Sequence, residues 1–140
     1  MTRLTRRYRF AASHRLHASS LPENENRKLY GKCNYPHGHG HNYELEVSVR
    51  GAVDASSGML VRVEDLDKLV AEKVIQTFDR RNLNCDVAEF ASLVPTTENL
   101  AEVVRSRLTS GWAEAFGASG AALDGIRIRE TRKNSVELKG

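Results

Sequence analysis

The 140 residues predict a single α+β domain in two layers, an antiparallel sheet with helices packed on one face. Two stretches alternate apolar and polar residues with period two, as half-buried strands do. Two later stretches repeat apolar residues at helical spacing. The links between strands are short, and short links join antiparallel neighbours.

Residues 7–14 form the first strand, with Tyr8, Phe10, Ala12 and His14 on one face and Arg7, Arg9 and Ser13 on the other. Residues 19–38 contain Pro22, Asn24, Asn26, Gly31, Pro36 and Gly38 and are expected to be a long loop, a length that usually signals function or disorder. A second strand runs over 39–53, with His39, His41, Tyr43, Leu45, Val47 and Val49 sharing a face. Asp54 to Gly58 is a turn, and Met59 to Val63 is expected to be its hairpin partner. Leu66, Leu69, Val70, Val74 and Phe78 mark a helix over 64–78. Thr96, after Pro95, is an N-cap for a helix carrying Leu100, Val103, Val104 and Leu108. Two short strands close the chain, over 125–131 and 135–139, around a turn at Arg132 to Asn134. Such a sheet has free edges, for which edge-to-edge oligomerisation is a natural remedy.

Composition excludes several classes. With 40% hydrophobic and 28% charged residues, 10 Gly and 3 Pro, the chain is neither collagen-like nor disordered. No apolar run approaches the ~20 residues of a membrane helix, and no apolar signal core follows the basic start, so secretion is not expected. Two cysteines, Cys33 and Cys85, are too few for a disulfide framework, and a cytoplasmic setting fits them. The net charge of +3 comes from 21 scattered Lys and Arg against 18 Asp and Glu, without a nucleic-acid-binding motif. A small polyanionic metabolite suits that surplus equally well.

All five histidines fall between positions 14 and 41. His39 and His41 point the same way along a strand, and His14 shares its face with Phe10. If the two strands pair, three imidazoles emerge on one side, the donor set of a zinc site with an open position. His17 and His37 are left outside that set as solvent-side residues. Cys33, beside Lys32 and near a dication held by such a histidine set, is expected to favour thiolate and to serve either as a base or as a metal ligand. Cys85 is expected to be structural.

Four motifs in order then carry a resemblance over nearly the whole chain. They are Phe10-Ala-Ala-Ser-His-Arg-Leu16, Gly31-Lys-Cys-Asn34 through Gly38-His-Gly-His-Asn-Tyr43, Pro95-Thr-Thr-Glu-Asn99 and Arg129-Glu-Thr131. Together they resemble the 6-pyruvoyl-tetrahydropterin synthase family, whose relatives include the 6-carboxytetrahydropterin synthases of queuosine biosynthesis. The resemblance implies a tunnelling fold, a four-stranded antiparallel sheet with two helices on one face. It further implies trimers joined edge to edge, stacked as a homohexamer with active sites between subunits.

The resemblance assigns zinc to His14, His39 and His41, catalysis to Cys33, pterin anchoring to Glu130, and pocket lining to Thr96, Thr97 and Glu98. It implies a lyase of tetrahydrobiopterin biosynthesis, acting on 7,8-dihydroneopterin triphosphate. The five-residue gap between Cys33 and His39 is that of the pyruvoyl synthases. Arg15, Lys28 and Lys32 are candidate triphosphate contacts by charge. One departure stands out: at the family's Asp-His relay the chain has Asp79-Arg80, and arginine cannot shuttle a proton. The alternatives are therefore carboxytetrahydropterin synthesis and a zinc- and pterin-binding homologue with weakened lyase activity. His37, where relatives often have Asn, is a further candidate for the missing proton carrier.

Overall fold

The computed structural model describes all of residues 1–140. Strand β1 (Thr2–His14) pairs antiparallel with β2 (His39–Gly51) along its whole length. Between them, α1 (Glu23–Tyr30) and a 3-10 turn (Gly31–Asn34) occupy the stretch expected to be loop. The helix is polar, and its only buried side chain is Asn26, whose amide bonds both the N–H and the C=O of Ala18. A helix without an apolar stripe leaves no periodic signal.

The chain continues through α2 (Val63–Val70), a π-helical turn (Ala71–Ile75), α3 (Gln76–Phe78), β3 (Arg81–Asn82), α4 (Leu83–Asp86) and a 3-10 turn (Ala88–Ala91). Helix α5 (Thr97–Phe116) starts at the Thr96 cap, whose Oγ1 accepts the Asn99 N–H at 3.2 Å. Strands β4 (Ala122–Arg129) and β5 (Ser135–Lys139) form the closing hairpin.

The sheet order is β3-β1-β2-β4-β5, which corrects two expectations. The sheet has five strands and is mixed, because β3 lies parallel to β1 against Ala12 and Ser13. Asp79 causes this: its carboxylate accepts the Ala11 N–H at 2.9 Å, and the next residue, Arg80, turns with φ 60° to lay the chain along β1. Met59 to Val63 is not a strand. Both edges of β2 are already filled, by β1 and β4, so no ladder is open to it. Leu60 and Val61 instead plug the core, and α2 begins at Val63.

The helices cover one face, as expected. Phe10, Tyr43, Leu45, Val47 and Val49 of the sheet meet Leu66, Val70, Val74 and Phe78 on one side and Leu100, Val104 and Leu108 on the other. The opposite face carries Arg3, Arg7 and Arg9 of β1, Glu44 and Glu46 of β2, and Arg127 and Arg129 of β4, whereas Arg6 pairs with Asp67 of α2. No helix is long and apolar enough to cross a membrane.

Candidate metal centre

The register of β1 and β2 builds the site. His14 is paired with His39, and His41 with Ala12, so all three imidazoles rise from the helix-covered face. Gly38 makes the entry possible. It has φ 70°, and a Cβ there would come within 2.7 Å of the His14 carbonyl oxygen. The ring centroids lie 4.6–5.0 Å apart. One nitrogen from each ring falls within 4.8 Å of the others.

Those nitrogens are unsatisfied. His14 Nε2, His39 Nδ1 and His41 Nε2 are buried with no hydrogen-bond partner. Three buried orphan acceptors facing one point are costly unless a cation fills it. The second ring nitrogen of His14 lies 2.9 Å from the Pro95 carbonyl, which can only accept, so Nδ1 holds the proton and Nε2 presents a lone pair. Tyr43 Oη stands 3.2 Å from the same Nδ1. Burial lowers the His14 pKa to about 4 and also lowers that of His39, so both stay neutral, as metal ligation requires. Neutral imidazoles in threes suit a divalent ion of borderline softness. The residues present therefore fit a metal.

Glu130, just past β4, reaches the same place. One carboxylate oxygen lies 3.6 Å from His41 Nε2, and the other accepts from Thr97 Oγ1. Thr97 is buried in the first turn of α5, whereas Thr96 is committed to the cap and Glu98 is exposed. Cys33 is half-buried and stands outside the group of converging nitrogens. Burial and then Glu130 push its pKa up, outweighing Lys32, so the metal-free chain holds a thiol rather than a thiolate. The same two causes push Tyr43 up.

Other candidates are placed elsewhere. Asp79 is spent on the Ala11 N–H. Arg80 is exposed and borders a cleft that is lined by His41 and Ala12 as well as by Ala11, Ser13, Gly40 and Asn42. His37 is exposed, whereas His17 is half-buried and bonded to Asn34 at 3.0 Å. Asn34, Tyr43 and the Pro95 carbonyl are supporting groups that spacing alone did not mark. Tyr43 could have been found, since it shares strand parity with His41.

Known proteins give a consistent comparison. The profile of the family described as 6-pyruvoyl tetrahydropterin synthase matches residues 3–140. A 6-pyruvoyl tetrahydrobiopterin synthase of Poecilia reticulata is 45% identical over 138 residues, covering 98% of this chain and 89% of its own. The protein of that name from Homo sapiens is 41% identical, covering 98% of this chain and 90% of its own. The structure of the Caenorhabditis elegans 6-pyruvoyl tetrahydropterin synthase superposes with a TM-score of 0.91 at 39% identity, covering 99% of this chain and 95% of that one. With matching motifs, matching fold and relatives of this identity along its whole length, the chain belongs to the 6-pyruvoyl tetrahydropterin synthase family.

Proposed function

We propose that the chain is a zinc-dependent lyase that converts 7,8-dihydroneopterin triphosphate to 6-pyruvoyl-tetrahydropterin with loss of triphosphate. The observation that carries this is the trio of unpartnered imidazole nitrogens with a carboxylate beside it. The similarity to named synthases at 41–45% identity, together with the Cys33 to His39 spacing, supports the pyruvoyl product over the carboxy one.

His14, His39 and His41 would hold a divalent ion, which would supply Lewis acidity toward the substrate's side chain. Glu130 has the chemistry to hold the pterin, since a carboxylate accepts two parallel N–H bonds from its 2-amino group and N3–H. Thr97 fixes the carboxylate for that task. Cys33 removes and returns the side-chain proton, a role in which a thiol kept protonated until substrate arrives is a strong base once ionised. Arg80 stays charged and so holds negative charge rather than relaying protons. Its exposed place beside the edge strand β3 suits action on a neighbouring copy of the chain, within a homohexamer built through the open sheet edges. Free Cys33 and Cys85 suit a cytoplasmic setting.

The decisive experiment is mass spectrometry of the product formed from dihydroneopterin triphosphate by the zinc-loaded chain. Triphosphate and 6-pyruvoyl-tetrahydropterin are expected. Acetaldehyde and 6-carboxytetrahydropterin would assign the chain to the carboxy branch. No product at full zinc occupancy would leave a binding protein.

A further inference from the structure

The turn that leads into α5 meets the metal centre at one residue and the carboxylate beside it at another. Pro95 is buried, and its carbonyl accepts from His14 Nδ1 at 2.9 Å. Two residues on, the Thr97 hydroxyl donates to Glu130. Thr96, between them, is taken up by the helix cap. The turn from Val94 to Thr97 therefore supplies one partner to each of the two groups.

Little main-chain bonding holds this turn. Pro95 has no N–H to donate, and the Thr96 N–H reaches only the Val94 carbonyl, at 2.8 Å. Asn99 supplies the rest from the first turn of α5. Its Nδ2 donates to the same Val94 carbonyl at 2.8 Å, and its main-chain N–H donates to Thr96 Oγ1 at 3.2 Å. A carbonyl only accepts, so the amide nitrogen is the atom that must face Val94. One residue thereby closes the chain across Pro95 and Thr96. Its side chain bonds to no histidine and not to Glu130.

We propose that Asn99 is a positioning residue for both halves of the site. Through Val94 it fixes the Pro95 carbonyl that sets the His14 tautomer, and with it the Thr97 hydroxyl that holds Glu130. The metal half stands on the three converging nitrogens, whereas the Glu130 half rests on the pterin reading proposed above.

A residue in this place could also serve the helix alone, and two substitutions separate the roles. Asn99→Asp puts a negative charge in the first turn of α5, which suits the helix, but sets an acceptor against the Val94 carbonyl. Asn99→Ala removes the donor without adding charge. Arg107→Met, farther along the same helix and behind the site, controls for a general loss of stability.

Zinc affinity of the full chain is read by chelator competition. Asn99→Ala and Asn99→Asp should each weaken it about tenfold, and Arg107→Met should leave it within about twofold of wild type. In NMR spectra of the zinc-loaded chain, the His14 Nδ1–H resonance should move in both Asn99 variants and stay in place in Arg107→Met. At saturating zinc, both Asn99 variants should bind dihydroneopterin about threefold or more weakly. Zinc affinity within about twofold of wild type in either Asn99 variant overturns the proposal. So does an unchanged dihydroneopterin affinity at full zinc occupancy. Where Asn99→Ala fails to fold, Asn99→Asp decides alone. Wild type that binds zinc but no dihydroneopterin overturns the lyase reading instead, and the zinc affinities then decide the place of Asn99 by themselves.

Discussion

His14 is 1% exposed, with one ring nitrogen committed to Pro95 and the other to nothing in the chain. Its folded pKa of about 4 lies below the ordinary 6.5, so the folded state refuses a proton that the unfolded state accepts. The contribution of His14 to the stability of the metal-free chain is therefore full above pH 6.5 and falls as pH drops from there toward 4. The loss is on the order of 3 kcal/mol, and denaturant titrations of apo protein at pH 7 and pH 4 measure it. His39→Ala should strip the metal, read by elemental analysis, and retained stoichiometric zinc would contradict the ligand set. Cys33→Ala should keep the metal and lose about 100-fold or more in turnover. Metal loss there would instead make the thiol a ligand. The three histidines were legible in the sequence because strand parity alone aligns them. The state of Cys33 in the metal-free chain was not, because burial, and then Glu130 just past β4, oppose its ionisation, and both depend on the tertiary fold.

Arg107 of α5 shows how elements are tied together behind the site. Its guanidinium makes two 2.7 Å bonds to Glu89, reaches the Lys73 carbonyl and Thr77 hydroxyl, and lies 4.9 Å over the Phe78 ring. The Lys73 carbonyl belongs to the π-helical turn, so Arg107 satisfies backbone where the helix is wound differently. Arg107→Met should cost about 1–3 kcal/mol in a urea titration, with the fold retained. The bonds from Arg107 hold the Glu89 pKa below its ordinary 4.5. That stabilisation is present above pH 4.5 and is lost as pH falls through the lower folded value. Wild type and Glu89→Gln should therefore converge in acid and differ at neutrality. Helices α2 and α5 were legible from their apolar stripes, and that of α2 persists through the π-helical turn. Helix α1 and strand β3 were not, since α1 has no stripe and the two-residue β3 depends on the Asp79 bond to a distant strand. The supposed strand over 59–63 shows the reverse failure. Its apolar residues are real core, but pairing is a property of the whole sheet, and β2 had no free edge.

At the scale of the whole molecule, both sheet edges are open. Strand β5 lies at one, and at the other β1 is bare from Thr2 to Phe10, because β3 reaches only Ala12 and Ser13. Open edges recruit other strands, and the family resemblance implies six copies; light scattering should then give a mass six times the 15.6 kDa chain, and a monomer would remove the assembly. The position of Arg80 makes the assembly matter for chemistry. Arg80→His is tolerable at φ 60°, where His is among the better non-glycine residues. A rise in turnover would mean that a proton relay is restored, and an unchanged or lower rate would mean that arginine has its own task. Whether that task is performed on another copy can be separated cleanly. Arg80→Glu and Cys33→Ala should each be inactive alone. If one site draws Cys33 from one chain and Arg80 from the next, oligomers co-assembled from the two variants contain some sites with both native residues, and activity returns. If each chain completes its own site, every site keeps one defect and mixing restores nothing. Full activity of Arg80→Glu by itself would exclude Arg80 from the site altogether.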